Sequence, residues 1–492
     1  MWLIAPLFAA ASPAYAADVC GGYPERMSTE EIEELRDRLN LIVPVRFAEA
    51  ARKIQIVNVD LDDEHFAPAI EPLPGGQGYR VEVPARFRTL LCRLVALQLY
   101  YATRTITDPT IPPLLMQNCV RRGTDVSACL HEVSKGIQDY VGQKFPLDDF
   151  QADVSRLSES ALNLILLHEY GHGVLGHLAS PGAHDEEDAD IFALLHGVGY
   201  GESTIVSLGI FVVLSFADPV LQDDAHQSFI CRAKATSDYL ATSADQVSLL
   251  ISWSDGPDKF GPEREKRAKY PYEVPPGPLQ SALLTASSCR GGARADVLDF
   301  GKELNQMLAL VGRIDQAAAD RAQADLFGFY GPLAGFAIRT EMGRYVRASM
   351  MAQRFVGMHP LKNDAAKDPR YLQLLSDYLG GPDIPFMSSR DYGRLLTSKA
   401  LAEMQIAFGA EKPDVAAIER IALDFRRALY FDPTFDAAYA ALIGIEMLLG
   451  DCAEAERVIA RGRLHTEREA KESFDTLETL LRKRRGTGGC HY

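Results

Sequence analysis

The segment His168-Glu169-Tyr170-Gly171-His172 constrains this chain more than any other stretch. Residues four apart lie one above the other on a helix, so this spacing presents both imidazoles on one face. Two imidazoles placed in this way can bind one metal ion, and Glu169 can reach a water held by that ion. A largely apolar run, residues 162–167, precedes the motif and predicts a helix that enters the site from a hydrophobic core.

An acidic segment just downstream, residues 186–190, supplies candidates for the rest of a metal site. A catalytic zinc needs a third protein ligand and one open position. If the segment is helical, Glu186 and Asp190 share a face. Glu186 can then complete the metal shell, while Asp190 accepts a hydrogen bond from a ligand histidine and fixes its tautomer. Glu187 is the alternative ligand if the helical register differs by one residue.

A different interpretation is that the histidines only cap or pack against a polar helix and that the acidic segment is a solvated face. Two further histidines lie nearby in the sequence. His177 follows His168 by nine residues, about 180° round an ideal helix, which predicts a structural or rim position outside the metal shell. His184 can line the cleft or be solvated.

Charge and length limit the class of protein. The 492 residues carry a formal net charge of −16, whereas a nucleic-acid-binding surface is normally basic, so nucleic-acid binding is not expected. At roughly 100–200 residues per domain, the length predicts two to four domains.

The first sixteen residues contain no charged side chain and end in Ala14-Tyr15-Ala16, which is typical of a cleaved signal peptide. This indicates export.

Eight cysteines are compatible with disulfides, with Cys119 and Cys129 the favoured pair and buried thiols the alternative. The apolar run 204–217 is shorter than the roughly 20 residues that cross a bilayer, so a core helix is favoured over membrane contact.

Periodicity predicts an α+β, mostly helical protein with a small sheet. Ser28-Thr29-Glu30-Glu31 opens a helix that runs to about Ile42. Residues 53–61 and 79–83 have strand patterns, and residues 86–101 return to a helical pattern. Residues 105–150 have the composition of an insertion before the motif helix.

His168, Glu169, His172, Glu186 and Asp190 together resemble the gluzincin branch of HExxH zinc metallopeptidases, particularly peptidase family M48. Metzincins fit poorly, since their third histidine falls ten residues after the first, where this chain has leucine. The resemblance implies a zincin-like catalytic domain with His168, His172 and Glu186 as Zn²⁺ ligands, Glu169 as catalytic base and Asp190 as their hydrogen-bond partner. Members of this family often have a His-Pro pair near the site, and the resemblance makes His359, which precedes a proline, a candidate for that histidine.

The last ninety residues resemble tetratricopeptide repeats. The segment 428–433 is similar to the end of one unit, and Tyr439, Leu442, Gly450, Ala455, Ile459 and Gly462 have spacings similar to the next. We therefore expect a signal peptide at 1–16, a metallopeptidase domain at 17–253, a helical domain at 279–400 and tetratricopeptide-like helices at 401–492.

The sequence thus predicts an exported, periplasmic or secreted, zinc metalloendopeptidase that hydrolyses protein or peptide substrates, with Glu169 as general base. The alternative is a non-catalytic envelope scaffold or chaperone-like binding protein. In that case the zinc site is structural and the repeat-like tail binds a protein partner.

Overall fold

A computed structural model describes the following residues: 20, 23–24, 26–60, 67–89, 91–92, 95–96, 147–180, 182, 184–197, 231–232, 235, 239, 340–357, 369–409, 414–466, 471–487 and 489–490. The chain divides into two compact units. Met1–Leu39 and Glu49–Gln316 form the first, and Asn40–Ala48 and Ala317–Tyr492 form the second. Helices dominate and one small sheet is present, which confirms the prediction of a mostly helical α+β protein.

The first helix, α1 (Thr29–Ile42), begins where the sequence predicts it. The Ser28 hydroxyl accepts a hydrogen bond from the Glu31 amide, and the Glu31 carboxylate accepts one from the Ser28 amide. This reciprocal capping box satisfies two backbone donors that a helix start leaves without partners. A 3-10 turn (Val45–Phe47) and the short helix α2 (Ala48–Ala51) follow.

The sheet has three strands, β1 (Ile54–Val59), β2 (Ala69–Pro72) and β3 (Tyr79–Pro84). Its order is β1-β3-β2, with β3 parallel to β1 and antiparallel to β2. The predicted strands at 53–61 and 79–83 are confirmed. Strand β2 was not predicted, because four mostly exposed residues ending in proline show no alternation of apolar and polar side chains.

Two helices of the first unit carry the motif residues. The long helix α3 (Leu147–Leu175) contains the HExxH segment, and α4 (Asp185–Gly197) contains the acidic cluster. Gly173 brings α3 against the sheet: a Cβ there would lie 3.0 Å from Ile70 Cδ1 and 3.2 Å from Ile54 Cδ1. Four of the five apolar residues in the run before the motif are buried, with Leu166 fully enclosed, and Ile165 is half-buried.

The second unit contains seven described helices. In the same unit, residues 43–45 pair with residues 387–389 through backbone hydrogen bonds. These helices are α5 (Glu341–Gly357), α6 (Pro369–Leu379), α7 (Ser389–Gly409), α8 (Val415–Phe431), α9 (Asp436–Leu449), α10 (Cys452–His465) and α11 (Lys471–Gly486). From α7 to α11, each helix packs on the next around one apolar core. Gly450, at φ +83°, ends α9 in the left-handed conformation.

Disulfides join Cys20 to Cys92 and Cys452 to Cys490, and Cys231 is also disulfide-bonded. Among the described helices, none is both long enough and apolar enough to cross a membrane.

Several predicted features lie outside the described residues. They are the signal peptide 1–16, the 105–146 part of the insertion, the Cys119–Cys129 pair, the apolar run 204–217, the domain limits at 253 and 279, and His359. The predicted limit at 400 falls inside α7.

Candidate metal centre

Close contact between α3 and α4 brings the histidines and the acidic cluster together. At Gly171, a Cβ would lie 3.1 Å from Ala189 Cα and 3.2 Å from the Phe192 ring. Because glycine has no side chain, the two backbones can approach to a distance that a larger residue would prevent. The glycine inside the motif therefore sets the distance between the helix that carries His168 and the helix that carries Glu186.

His168, His172 and Glu186 converge on one point and could hold a metal ion. The two Nε2 atoms lie 3.1 Å apart. Glu186 Oε2 lies 3.4 Å from His168 Nε2, and Glu186 Oε1 lies 3.3 Å from His172 Nε2. Ligands bound at 2.0–2.1 Å around a tetrahedral ion are separated by about 3.3 Å. The three distances are close to this separation, with a different oxygen of the Glu186 carboxylate nearest to each histidine.

His168 has a carboxylate at its other ring nitrogen. Asp190 Oδ1 lies 2.9 Å from His168 Nδ1, and Asp190 is only 2% exposed. A carboxylate in this position orients the imidazole and leaves Nε2 free to face the metal. This is the arrangement that the helical spacing of Glu186 and Asp190 predicts.

Arg232 also contacts Asp190, through both of its carboxylate oxygens. Its Nε donates a hydrogen bond to Asp190 Oδ2 and its Nη2 donates one to Asp190 Oδ1, both at 2.7 Å. Its Nη1 lies 3.4 Å from Glu186 Oε2, and its Nη2 lies 3.3 Å from His168 Nδ1. The buried guanidinium of Arg232 therefore contacts both candidate ligands His168 and Glu186, as well as Asp190.

The charges of the cluster favour a divalent cation. Three carboxylates, those of Glu169, Glu186 and Asp190, lie within 4.0 Å of His168. Arg232 is the one arginine that the described residues place among them. With neutral histidines, a dication and Arg232 together balance the three carboxylates, which lowers the cost of enclosing those charges.

A proton and a metal ion would compete for His168. Burial alone would lower the pKa of His168, but the charge and hydrogen bond of Asp190, with the hydrogen bond to Glu186, raise it to about 10. Burial would raise the pKa of Glu186, but its bonds to His168 and His172 and the charge of Arg232 hold it well below its usual range. A metal ion that binds to His168 must therefore displace a proton.

Glu169 lies beside the ligand atoms without joining them. Its Oε1 is 4.0 Å from His168 Nε2, and the residue is buried. Burial raises the pKa of Glu169 above its usual value, although the nearby His168 and His172 oppose the change. A carboxylate with a raised pKa is a stronger base, which suits a group that must accept a proton.

His177 contacts His172, which the sequence reasoning did not foresee. Their Nδ1 atoms lie 3.0 Å apart. The prediction placed His177 on the far side of an ideal helix, but α3 ends at Leu175, so that geometric argument was wrong. The metal-capable group among the described residues consists of His168, His172 and Glu186 and does not include His177.

Glu187 and His184 are not in the metal-capable group. The Glu187 carboxylate lies 2.7 Å from Nδ1 of His184, whose side chain is exposed. Arg232 was missed altogether, because a buried ion pair across 42 residues of sequence leaves no periodic or spacing signal.

No protein-family model, curated protein or solved structure matches this chain. The resemblance to the gluzincins rests on the residues between His168 and Asp190.

Proposed function

We propose that this chain is an exported zinc metallopeptidase of the gluzincin type, similar to peptidase family M48, with a zincin-like catalytic domain. One observation carries the proposal: Nε2 of His168 and Nε2 of His172 lie 3.1 Å apart, each has an oxygen of the Glu186 carboxylate within 3.4 Å, and Glu169 lies beside them. Two histidines and one glutamate form a ligand set of catalytic zinc, which leaves a fourth position open. A purely structural site has four protein ligands and no need of an adjacent base.

The roles of the residues follow from their positions. Zinc bound by His168, His172 and Glu186 would act as a Lewis acid and lower the pKa of a bound water to about 7. Glu169, buried and with a raised pKa, accepts the proton of the attacking water and later donates it to the leaving amine. Asp190 and Arg232 hold His168 in its orientation, so that the ligand does not have to reorganise during the reaction.

The sheet supports a peptide as the substrate. Strand β2 pairs with β3 on one side and is an edge strand among the strands described. Its Ile70 lies against Gly173 of α3, one residue beyond His172. An extended peptide that adds to such an edge pairs through its main chain, which gives affinity without demanding a particular sequence.

Disulfides and the helical tail support the rest of the proposal. The Cys20–Cys92 and Cys452–Cys490 bonds fit an oxidising compartment outside the cytoplasm. Successive packing from α7 to α11 fits tetratricopeptide-like helices. Four of the residues with repeat-like spacing lie in their core: Tyr439, Leu442, Ala455 and Ile459. We propose that this tail binds a protein partner.

The decisive experiment compares Glu169→Gln with Glu187→Gln. Both replace one glutamate near the site by its isosteric amide; the Glu169 carboxylate lies 4.0 Å from His168 Nε2, whereas the Glu187 carboxylate contacts the exposed His184. Zinc content and hydrolysis of labelled casein are measured for both variants and for the wild type. We expect all three proteins to bind zinc, and Glu169→Gln to lose about 10²–10⁴-fold in hydrolysis.

Undiminished hydrolysis in Glu169→Gln, or in wild type stripped of metal by a chelator, would refute the proposed zinc-dependent mechanism with Glu169 as the base. A zinc-loaded wild type without any hydrolysis would favour the non-catalytic scaffold with a structural zinc site.

A further inference from the structure

The end of helix α3 has a defined turn that acts on the site. Gly176 has φ +82°, in the left-handed region, and follows Leu175, the last helical residue. The His177 amide then donates a hydrogen bond back to the carbonyl oxygen of His172, at 3.1 Å. This six-to-one bond across a left-handed glycine is the Schellman motif.

In a Schellman motif, the second residue after the helix packs against the residue of the last turn that accepts its amide. That contact is usually apolar. Here the two residues are His177 and His172, and the contact is polar: the Nδ1 atoms lie 3.0 Å apart and the rings meet edge to face. The backbone turn therefore places a hydrogen-bonding group directly behind a candidate metal ligand.

The direction of the hydrogen bond follows from metal binding. A neutral imidazole carries one hydrogen, so His172 must carry it on Nδ1 when Nε2 binds the metal. His172 then donates to His177, whose Nδ1 accepts. The hydrogen of His177 is on its Nε2, which lies 3.8 Å from Asp185 Oδ1 at the start of α4.

Each ligand histidine thus has its own partner. His168 Nδ1 contacts the charged carboxylate of Asp190, and His172 Nδ1 contacts the imidazole of His177. Both partners are buried. We propose that His177 is a positioning residue that fixes the tautomer and ring orientation of His172 and so increases the affinity of the site for its metal. This inference rests on the metal site of the proposed function, but not on the peptidase activity.

The test compares His177→Leu with His177→Asn. Leucine fills the space without an acceptor, whereas the asparagine carbonyl oxygen lies near the position of the original Nδ1. Zn²⁺ affinity of the full chain is measured at constant pH by chelator competition. The visible spectrum of the Co²⁺ form reports the ligand geometry. Loss of a partner behind a metal ligand typically weakens metal binding 10–100-fold. We expect that loss and an altered Co²⁺ spectrum in His177→Leu, and recovery of most of the affinity in His177→Asn.

His184→Ala is the matched control, because His184 is a nearby histidine with an exposed side chain that contacts Glu187 instead of a ligand. Its Zn²⁺ affinity should equal that of the wild type. If His177→Leu does not fold, Gly176→Val gives the same information, because it strains the turn without touching a site side chain. A Cβ at Gly176 meets nothing within 4 Å. Gly176→Asn, which tolerates the left-handed conformation, should retain the affinity.

Wild-type affinity in His177→Leu, or in Gly176→Val where the leucine variant does not fold, would overturn the proposal. Equal weakening by leucine and asparagine would overturn it as well, since packing alone would then explain the effect. A protein that binds zinc but hydrolyses no substrate would refute the peptidase and leave these affinities interpretable. A wild type that binds no zinc would refute both.

Discussion

Replacement of Arg232 by leucine should destabilise the first unit more than any exposed ion pair could. Arg232 is 7% exposed and donates two 2.7 Å hydrogen bonds to Asp190, which is 2% exposed. The leucine variant leaves the Asp190 charge buried without its main counter-charge. Breaking a buried pair by removing one partner costs about 3–5 kcal/mol, and two hydrogen bonds to charged groups at about 1.5–3 kcal/mol each agree with that range.

Denaturant unfolding in the presence of a chelator measures this cost, with Arg232→Lys as the matched variant. Lysine keeps the charge but cannot form the two-pronged contact with Asp190, so we expect an intermediate loss. Adding Asp190→Asn to Arg232→Leu should recover part of the stability, because the buried charge is then removed. A loss below about 1 kcal/mol in Arg232→Leu, the range of exposed pairs, would refute the reasoning.

Three further predictions concern other parts of the chain. Because the pKa of His168 is raised to about 10, zinc binding near pH 7.5 should release about one proton, measured by calorimetry in buffers of different ionisation enthalpy. Protonated His168 also contributes to the free energy of unfolding measured in the presence of a chelator. This contribution is complete below about pH 6.5 and is lost as the pH rises through 10, so a free energy of unfolding that rises over that range would contradict the raised pKa of His168. Gly171→Val should lower the free energy of unfolding by about 1–3 kcal/mol and weaken zinc binding, because its side chain meets Ala189 and separates α3 from α4; unchanged zinc affinity would argue against the close approach. Gly444→Ala, inside α9 with open space at the new Cβ, should raise the melting temperature through a gain of about 0.5–1 kcal/mol, and a decrease would contradict the open packing.

Local patterns predicted the parts of the fold that local rules determine. The helix predicted to open at Ser28-Thr29-Glu30-Glu31 begins there, and Ser28 and Glu31 form a capping box. Helical spacing alone was enough to propose that Glu186 and Asp190 share one face of a helix, and in the structure both contact His168. The sequence left Glu186 and Glu187 as alternative ligands, because the choice depends on how α4 packs against α3; in the structure Glu186 is in the metal-capable group.

Features that depend on chain reversal or distant contact were beyond the sequence reasoning. His177 was placed by continuing an ideal helix, whereas Gly176 ends the helix and turns His177 back onto His172. Gly176 was a usable signal, since glycine is the common residue after a helix end. Arg232 gave no such signal: its role exists only because the fold brings it to Asp190.

We propose that His168, His172 and Glu186 hold one zinc ion. The zinc content of the wild type, Glu186→Ala and Glu187→Ala tests this proposal. It is measured by mass spectrometry of the purified chain after zinc loading and desalting. We predict about one zinc per chain in the wild type and in Glu187→Ala, and little in Glu186→Ala, because a site with three protein ligands keeps only two. A wild type without zinc, or a Glu186→Ala variant that retains as much zinc as the wild type, would contradict the claim.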